Sequence, residues 1–196
     1  MILDCIRHGA TESNLAGRFN GSSLEGITIG QRAALEQVRF DASPYDAVFV
    51  SDLPRCVETA VSLGLTGFQL EPRLQERGLG VFEGLTPAEC RDRFAEDFAR
   101  FLMFEADFVI PGGESRAQHF SRLSQWLAEL EPMGRVLAVT HGGTIDFLCR
   151  LGNGWRLHGG DTIHSSANAH LSRFDLDWPV VRLLAFNQQL GLTDQV

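Results

Sequence analysis

Apolar residues fall along the chain in short runs divided by polar, glycine-rich stretches. The opening "MILDCI" is an apolar run of strand length, and "DAVFVS" and "VLAVT" repeat the kind further on. A polar, Gly-rich loop covers residues 17–30, and "QRAALEQVRF" then reads as a helix. "LPRCVETAVSLG" reads as a second helix, with Pro54 near its start and Gly64 just past its end. "GFQLE" is a brief strand, and a further helix starts near Ser115, with Gln118 placed as its capping-box partner. "VLAVT" enters the helix "TIDFLCRLG" through Gly142 and Gly143. "HLSRFDL" and "VVRLLAF" close the chain as two strands, the Trp178-Pro179 pair marking the turn between them. Strands alternating with helices predict an α/β fold, a three-layer sandwich with a mostly parallel central sheet and helices on both faces. The 196 residues suit a single domain, residues 1–196, with a small helical lid insert over about 85–114.

Composition narrows the partners. A chain of this length buries roughly 70% of its unfolded surface and needs no metal or disulfide staple. The net charge of −8 argues against a nucleic-acid or anionic-membrane partner, although local arginines can still invert the field inside a cleft. The apolar runs are too short to span a bilayer, and "MILDCIRHG" has neither the basic nor the extended apolar region of a secretory signal. Cys5, Cys56, Cys90 and Cys149 form no C-x-x-C pair and read as free thiols, so a reducing, cytoplasmic location is expected.

The chemistry gathers where two strands end. "CIRHGATESN" and "LAVTHGGTID" each carry an apolar run into a histidine, a glycine and, two residues on, a threonine. In open α/β sheets ligands bind beyond the carboxyl ends of the strands, so adjacent strands would bring His8 and His141 together there. Backbone N–H groups opening a helix favour an anion at that place, most often phosphate. Arg55 sits in the first turn of the helix after "DAVFVS", suited to bidentate phosphate contact. "LQERGLGVFEG" adds Glu76 and Glu83 on a Gly-broken loop, and a carboxylate beside such arginines can serve as a general acid.

These residues resemble the histidine phosphatases, the superfamily that also holds the cofactor-dependent phosphoglycerate mutases. The likeness is carried by Arg7, His8, Gly9, Thr11 and Asn14; by Ser51, Leu53, Arg55, Thr59 and Ala60; and by Leu74, Glu76, Gly80, Glu83 and Gly84. Pro111 to Ser115, as Pro-Gly-Gly-Glu-Ser, and the late His141-Gly142 complete it in order. The resemblance implies that His8 is the nucleophile and forms a phosphohistidine, with its other nitrogen donating to a nearby carbonyl. It implies that Arg7, Arg55 and His141 hold the equatorial phosphate oxygens, and that Glu76 protonates the leaving oxygen and then activates water. Asn14, Asn20, Gly21 and Gly142 are the expected substrate contacts, and Glu83 a residue that fixes its loop. No metal and no cofactor are expected: side chains supply the positive charge, and the sequence holds neither a magnesium-type carboxylate cluster nor a His-x-x-x-His pair.

Two departures bear on the substrate. "SSLEGITIGQ" lacks the aspartate that the family usually carries after its first loop. Mutases hold a second anionic group with an arginine pair and a lysine in the insert, whereas residues 94–114 here contain one basic residue, Arg100. Phe94, Phe98, Phe101 and Phe108 recur there instead, at spacing that packs the insert on the core. His119 reads as a surface or packing residue. His158, His164 and His170 read as loop and strand residues, with His164 within reach of the cleft rim. The expected activity is hydrolysis of a small phosphorylated metabolite, with α-ribazole phosphate and sugar phosphates among the candidates. The alternatives are a phosphoglycerate mutase and a non-catalytic phospho-ligand-binding protein; a homodimer is left open.

Overall fold

The computed structural model describes residues 1–130, 134–154 and 164–191. Strand β1 (Ile2–Arg7) leads into a one-turn helix α1 (Glu12–Leu15), then α2 (Ile29–Leu35), β2 (Ala47–Val50), α3 (Pro54–Ser62) and the two-residue β3 (Gln69–Leu70). Helices α4 (Pro87–Arg93), α5 (Ala95–Leu102) and α6 (Arg116–Glu129) precede β4 (Arg135–Thr140), α7 (Gly142–Gly152), β5 (His170–Asp177) and β6 (Val180–Gln189). The sheet order is β3-β2-β4-β1-β5-β6. The first four strands in that order are parallel, and β5 and β6 add an antiparallel edge. Trp178-Pro179 is the turn between those two, as the sequence predicts.

Alternation within the central strands builds a core on each face, because successive side chains of a strand point opposite ways. Leu3, Cys5, Val136 and Ala138 enter one cluster with Phe120, Leu123 and Trp126 of α6 and Ile145, Phe147 and Leu148 of α7. Ile6, Leu137, Val139 and Val50 enter the other, with Leu35 of α2 and Cys56 and Ala60 of α3. This is the three-layer sandwich. Asp4 breaks the apolar pattern of β1 and is fully buried. Its carboxylate is matched by Arg135 at 2.9 Å, Arg173 at 2.8 Å and the Tyr45 hydroxyl at 2.7 Å, which offsets the cost of burying the charge. All four cysteines are buried and unpaired with one another.

Two helix boundaries differ from expectation. The helix after the Gly-rich loop begins at Ile29, capped by the Thr28 side chain on Gln31, and stops at Leu35. Val38 and Phe40, expected inside it, instead pack against the second core from a non-helical stretch. Gly142 and Gly143 lie in the first turn of α7 rather than ahead of it. The Ser115–Gln118 capping box is present at α6. Residues 94–108 pack their phenylalanines inward: Phe98 and Phe108 join Leu79, Phe82, Cys90 and Ile110 in a third apolar cluster, with Phe94 and Phe101 at its edge.

Candidate active site

Register brings the two histidines together. β1 and β4 pair in parallel with Arg7 opposite Thr140, so the next residues, His8 and His141, leave the sheet side by side. Their rings lie 5.1 Å apart between centroids. The backbone of His8 is held on both sides: its N–H donates to the Thr140 carbonyl at 2.9 Å, and its carbonyl accepts from Asn168 Nδ2 at 3.0 Å. His8 Nδ1 stands 2.8 Å from the Gly9 carbonyl, which can only accept. Nδ1 therefore carries the proton, and Nε2 keeps its lone pair.

Two guanidiniums line the cavity beside that ring, and the His141 imidazole packs behind it. Arg7, at the end of β1, donates Nη1 to the Ser166 carbonyl. Arg55 is fully buried in the first turn of α3; Nη1 reaches the Ser23 carbonyl at 2.7 Å and Nη2 the Gly21 carbonyl at 2.6 Å. Each guanidinium retains a buried Nε without a partner. Thr59 ties the two elements together, accepting from the Gly9 N–H at 2.8 Å and donating to the Arg55 carbonyl at 2.6 Å. His141 caps α7, with Nε2 2.9 Å from Ser51 Oγ.

Glu76 closes the arrangement. Its carboxylate accepts from the Arg77 N–H at 2.9 Å and from the Gly143 N–H, in the first turn of α7, at 3.0 Å. A Cβ at Gly143 would overlap Glu76 Oε1, so glycine there lets the carboxylate take this position. The loop carrying Glu76 is braced by the Pro111–Ser115 stretch. Glu114 pairs with Arg122 at 3.0 Å, and Arg122 Nη2 donates to the Glu76 carbonyl at 3.1 Å. Gly113 packs backbone to backbone on Gly78, where a Cβ would come within 2.6 Å of its carbonyl oxygen.

A cavity of about 170 Å³ is lined by Arg7, His8, Asn14, Asn20, Arg55 and Glu76, together with Gly21. Asn14 Oδ1 is engaged by Asn168 at 3.1 Å, which leaves its amide N–H groups for a ligand. Asn20 donates to Thr11 Oγ1 at 2.9 Å. Gly21 faces the cavity while its carbonyl holds Arg55. Gly142 lies on the wall of an adjoining cavity of about 330 Å³, which shares Arg7, Phe19, Glu76 and Leu79 with the first. Glu83 holds the loop, as expected: its Oε1 accepts from the Ser22 N–H at 2.8 Å and the Leu79 N–H at 2.9 Å.

The family model of the histidine phosphatase superfamily (branch 1) matches residues 3–189. The chain belongs to the histidine phosphatase superfamily. It is 33% identical over 152 residues to the metal-independent phosphoserine phosphatase of Arabidopsis thaliana, covering 71% of this chain and 63% of that protein. It is 33% identical over 157 residues to the glucosyl-3-phosphoglycerate phosphatase of Mycobacterium tuberculosis, covering 71% of this chain and 70% of that one. The chain thus spans somewhat under two thirds of the Arabidopsis relative. The crystal structure of the α-ribazole phosphatase from Shigella flexneri superposes with a TM-score of 0.80 at 22% identity, covering 98% of this chain and 99% of that one. At that identity the likeness is one of fold.

In this member of the superfamily several site residues escape sequence reasoning. Ser51 and Thr59 lie within quoted motifs, but that they orient His141 and Gly9 needs the folded register. Asn168 reaches the site from a loop 160 residues beyond His8. His119 was expected at the surface or in packing; it is 2% exposed and lines the larger cavity. Arg77 and Arg116 line that cavity too, and each is adjacent to a motif residue, Glu76 and Ser115. An arginine in the first turn of a helix opposes the macrodipole, so Arg116 was a detectable oddity. His164 lines the same cavity, whereas His170 begins β5; His158 lies outside the described residues. No described helix is long and apolar enough to cross a membrane.

Burial holds the His8, His119 and His141 imidazoles well below the usual value of 6.5; nearby arginines push the same way, Arg55 and Arg7 on His8 and Arg55 on His141. Both histidines at the phosphate cavity are therefore neutral at neutral pH. The linkage has a definite sign. Below pH 6.5 the unfolded chain binds protons that the folded chain refuses, so stability falls as pH falls. Three such groups give a limiting slope of about 4 kcal/mol per pH unit in the window beneath 6.5. Urea unfolding at pH 7.5, 6.5 and 5.5 checks this, and constant stability across the series contradicts it.

Proposed function

We propose that this chain hydrolyses phosphomonoesters of small metabolites through a phosphohistidine on His8, without a metal ion. The observation that carries the reading is the committed Nδ1–H of His8 in a cavity walled by Arg7, Arg55 and Glu76, with the His141 ring 5.1 Å from that of His8. Nε2 attacks phosphorus as the ester P–O bond breaks, and Glu76 gives its proton to the departing oxygen. The Glu76 carboxylate then takes a proton from water, which attacks the same phosphorus; the P–N bond breaks, phosphate leaves and His8 is restored. The buried Nε groups of Arg7 and Arg55 lack partners, a cost that a bound anion removes. These cations place positive charge where the transition state spreads negative charge over the equatorial oxygens, the part a metal plays elsewhere.

The phosphatase relatives support hydrolysis, and the substrate class includes α-ribazole phosphate and sugar phosphates. A mutase has to retain its phosphorylated product long enough to return the phosphoryl group. The one basic residue of residues 94–114, Arg100, is occupied by Glu105 at 2.7 Å and stacked over Phe108 at 4.3 Å. Intact His8, Arg7, Arg55, His141 and Glu76 weigh against a non-catalytic binding protein.

After EDTA treatment and desalting, purified protein releases phosphate from p-nitrophenyl phosphate and from members of a phosphorylated-metabolite panel at an undiminished rate. Interconversion of 3- and 2-phosphoglycerate in the presence of 2,3-bisphosphoglycerate, followed by coupling to enolase, stays slow or absent. Activity that returns only with magnesium or zinc overturns metal independence; mutase turnover far above phosphate release from every ester overturns the hydrolase.

A further inference from the structure

The larger cavity opens from the phosphate site across a shared wall of Arg7, Phe19, Glu76 and Leu79. Its far side carries two guanidiniums, Arg77 and Arg116, that form no ion pair among the described residues. Arg77 lies 5.1 Å over the Phe101 ring. The Nε of Arg116 is buried without a partner, and its guanidinium lies 4.7 Å over Phe104 and 5.5 Å over Phe120. Burial and the neighbouring Arg150 and Arg77 charges pull the Arg116 guanidinium down to about 10. His119 lines the same cavity, 2% exposed and held neutral by burial, with a hydrogen bond to the Gln75 backbone. The two carboxylates lining the cavity are already engaged. Glu76 is held by backbone N–H groups, and Asp146 accepts from Arg150 at 2.7 Å and from the His164 N–H at 2.9 Å.

Two like charges in a half-buried space repel, and orphaned buried donors cost stability, so this arrangement calls for an anion. Planar guanidiniums stacked on aromatic rings are set in orientation and present their edges to a carboxylate or phosphate. We propose that the cavity receives the alcohol half of the phosphomonoester, and that Arg77 and Arg116 bind a second anionic group on it, a carboxylate or a second phosphate. This rests on the phosphatase reading above. It also relocates the expected cations: they are absent from residues 94–114 apart from Arg100, and come instead from the residue after Glu76 and the start of α6, so the choice between hydrolase and mutase rests on the phosphate-release and phosphoglycerate assays above and not on that segment.

The test is a binding measurement that does not require turnover. Calorimetry compares phosphonoacetate, phosphonopropionate and phosphonobutyrate with alkylphosphonates of matched length, and with the corresponding bisphosphonates. At one or more chain lengths the doubly anionic compound binds at least tenfold more tightly than its alkyl partner, and whether carboxylate or bisphosphonate leads identifies the second group. Arg116→Met, or Arg77→Met if that variant does not fold, reduces this preference at least fivefold, whereas the surface variant Arg182→Met retains it. Equal affinities at every length, or a preference untouched in both cavity variants, overturn the proposal. Failure of the phosphatase reading shows separately, as no phosphate release from any ester, p-nitrophenyl phosphate included.

Discussion

His8→Ala abolishes phosphoryl transfer. Without Nε2 no covalent intermediate forms, and kcat/KM for p-nitrophenyl phosphate falls by about four orders of magnitude or more, as when the nucleophile of a coupled constellation is removed. The fold survives the change. The one side-chain hydrogen bond described for His8 is local, to the adjacent Gly9 carbonyl, and the ring borders an open cavity rather than the sealed core. Removing a buried neutral imidazole also removes one of the three groups that destabilise the protein as pH falls. The variant is therefore expected to show native circular dichroism and a shallower acid limb of stability. Native enzyme mixed with radiolabelled ester and quenched in alkali carries label that acid removes, because phosphohistidine is acid-labile; the variant carries none. Undiminished activity in folded His8→Ala excludes the mechanism.

How much of this was legible in the chain differs by element. The central strands could be read because their apolar runs are short, continuous and bounded by glycine or polar residues, and burial on both faces leaves no other reading. The pairing of His8 with His141 followed from both lying one step past such a strand. Helix α2 was read too long because Val38 and Phe40 continue the apolar pattern. Tertiary packing recruits them without a helix, since chain leaving Leu35 must turn to reach β2. The larger cavity was hidden for a different reason. Its walls come from seven separate stretches, among them those around Arg77, Phe101, Arg116 and His164, and no spacing within any one of them encodes that they meet. His119 looks ordinary beside its capping box, yet it stands at i and Leu123 and Trp126 at i+4 and i+7, on the helix face that packs into the core. The arginines of this cavity lie outside residues 94–114, the segment in which the family's mutases carry theirs.

Glu76→Gln separates proton transfer from charge. Glutamine keeps the size of the side chain but cannot deliver or accept the proton, and general acid–base catalysis of this kind contributes about 10²–10⁴-fold. The loss therefore depends on the leaving group. An alkyl phosphate departs as a strongly basic alkoxide unless protonated, so its kcat/KM falls by the full factor. Nitrophenolate leaves without a proton, so kcat/KM for p-nitrophenyl phosphate falls far less. Hydrolysis of the phosphohistidine still needs a base for water, and in Glu76→Gln that second step becomes rate-limiting with the activated ester. A burst of nitrophenolate equal to the enzyme concentration, followed by a slow steady state, is the expected trace. The substitution also sets an amide N–H₂ against the Arg77 or Gly143 N–H that the carboxylate now accepts, and that lost hydrogen bond lowers stability by about 1 kcal/mol. A control for this loosening is the ratio of the two esters, since a displaced loop slows both alike. An equal loss for alkyl and nitrophenyl esters with no burst would show that Glu76 acts by holding the loop and the neighbouring guanidiniums, and that the proton comes from another group.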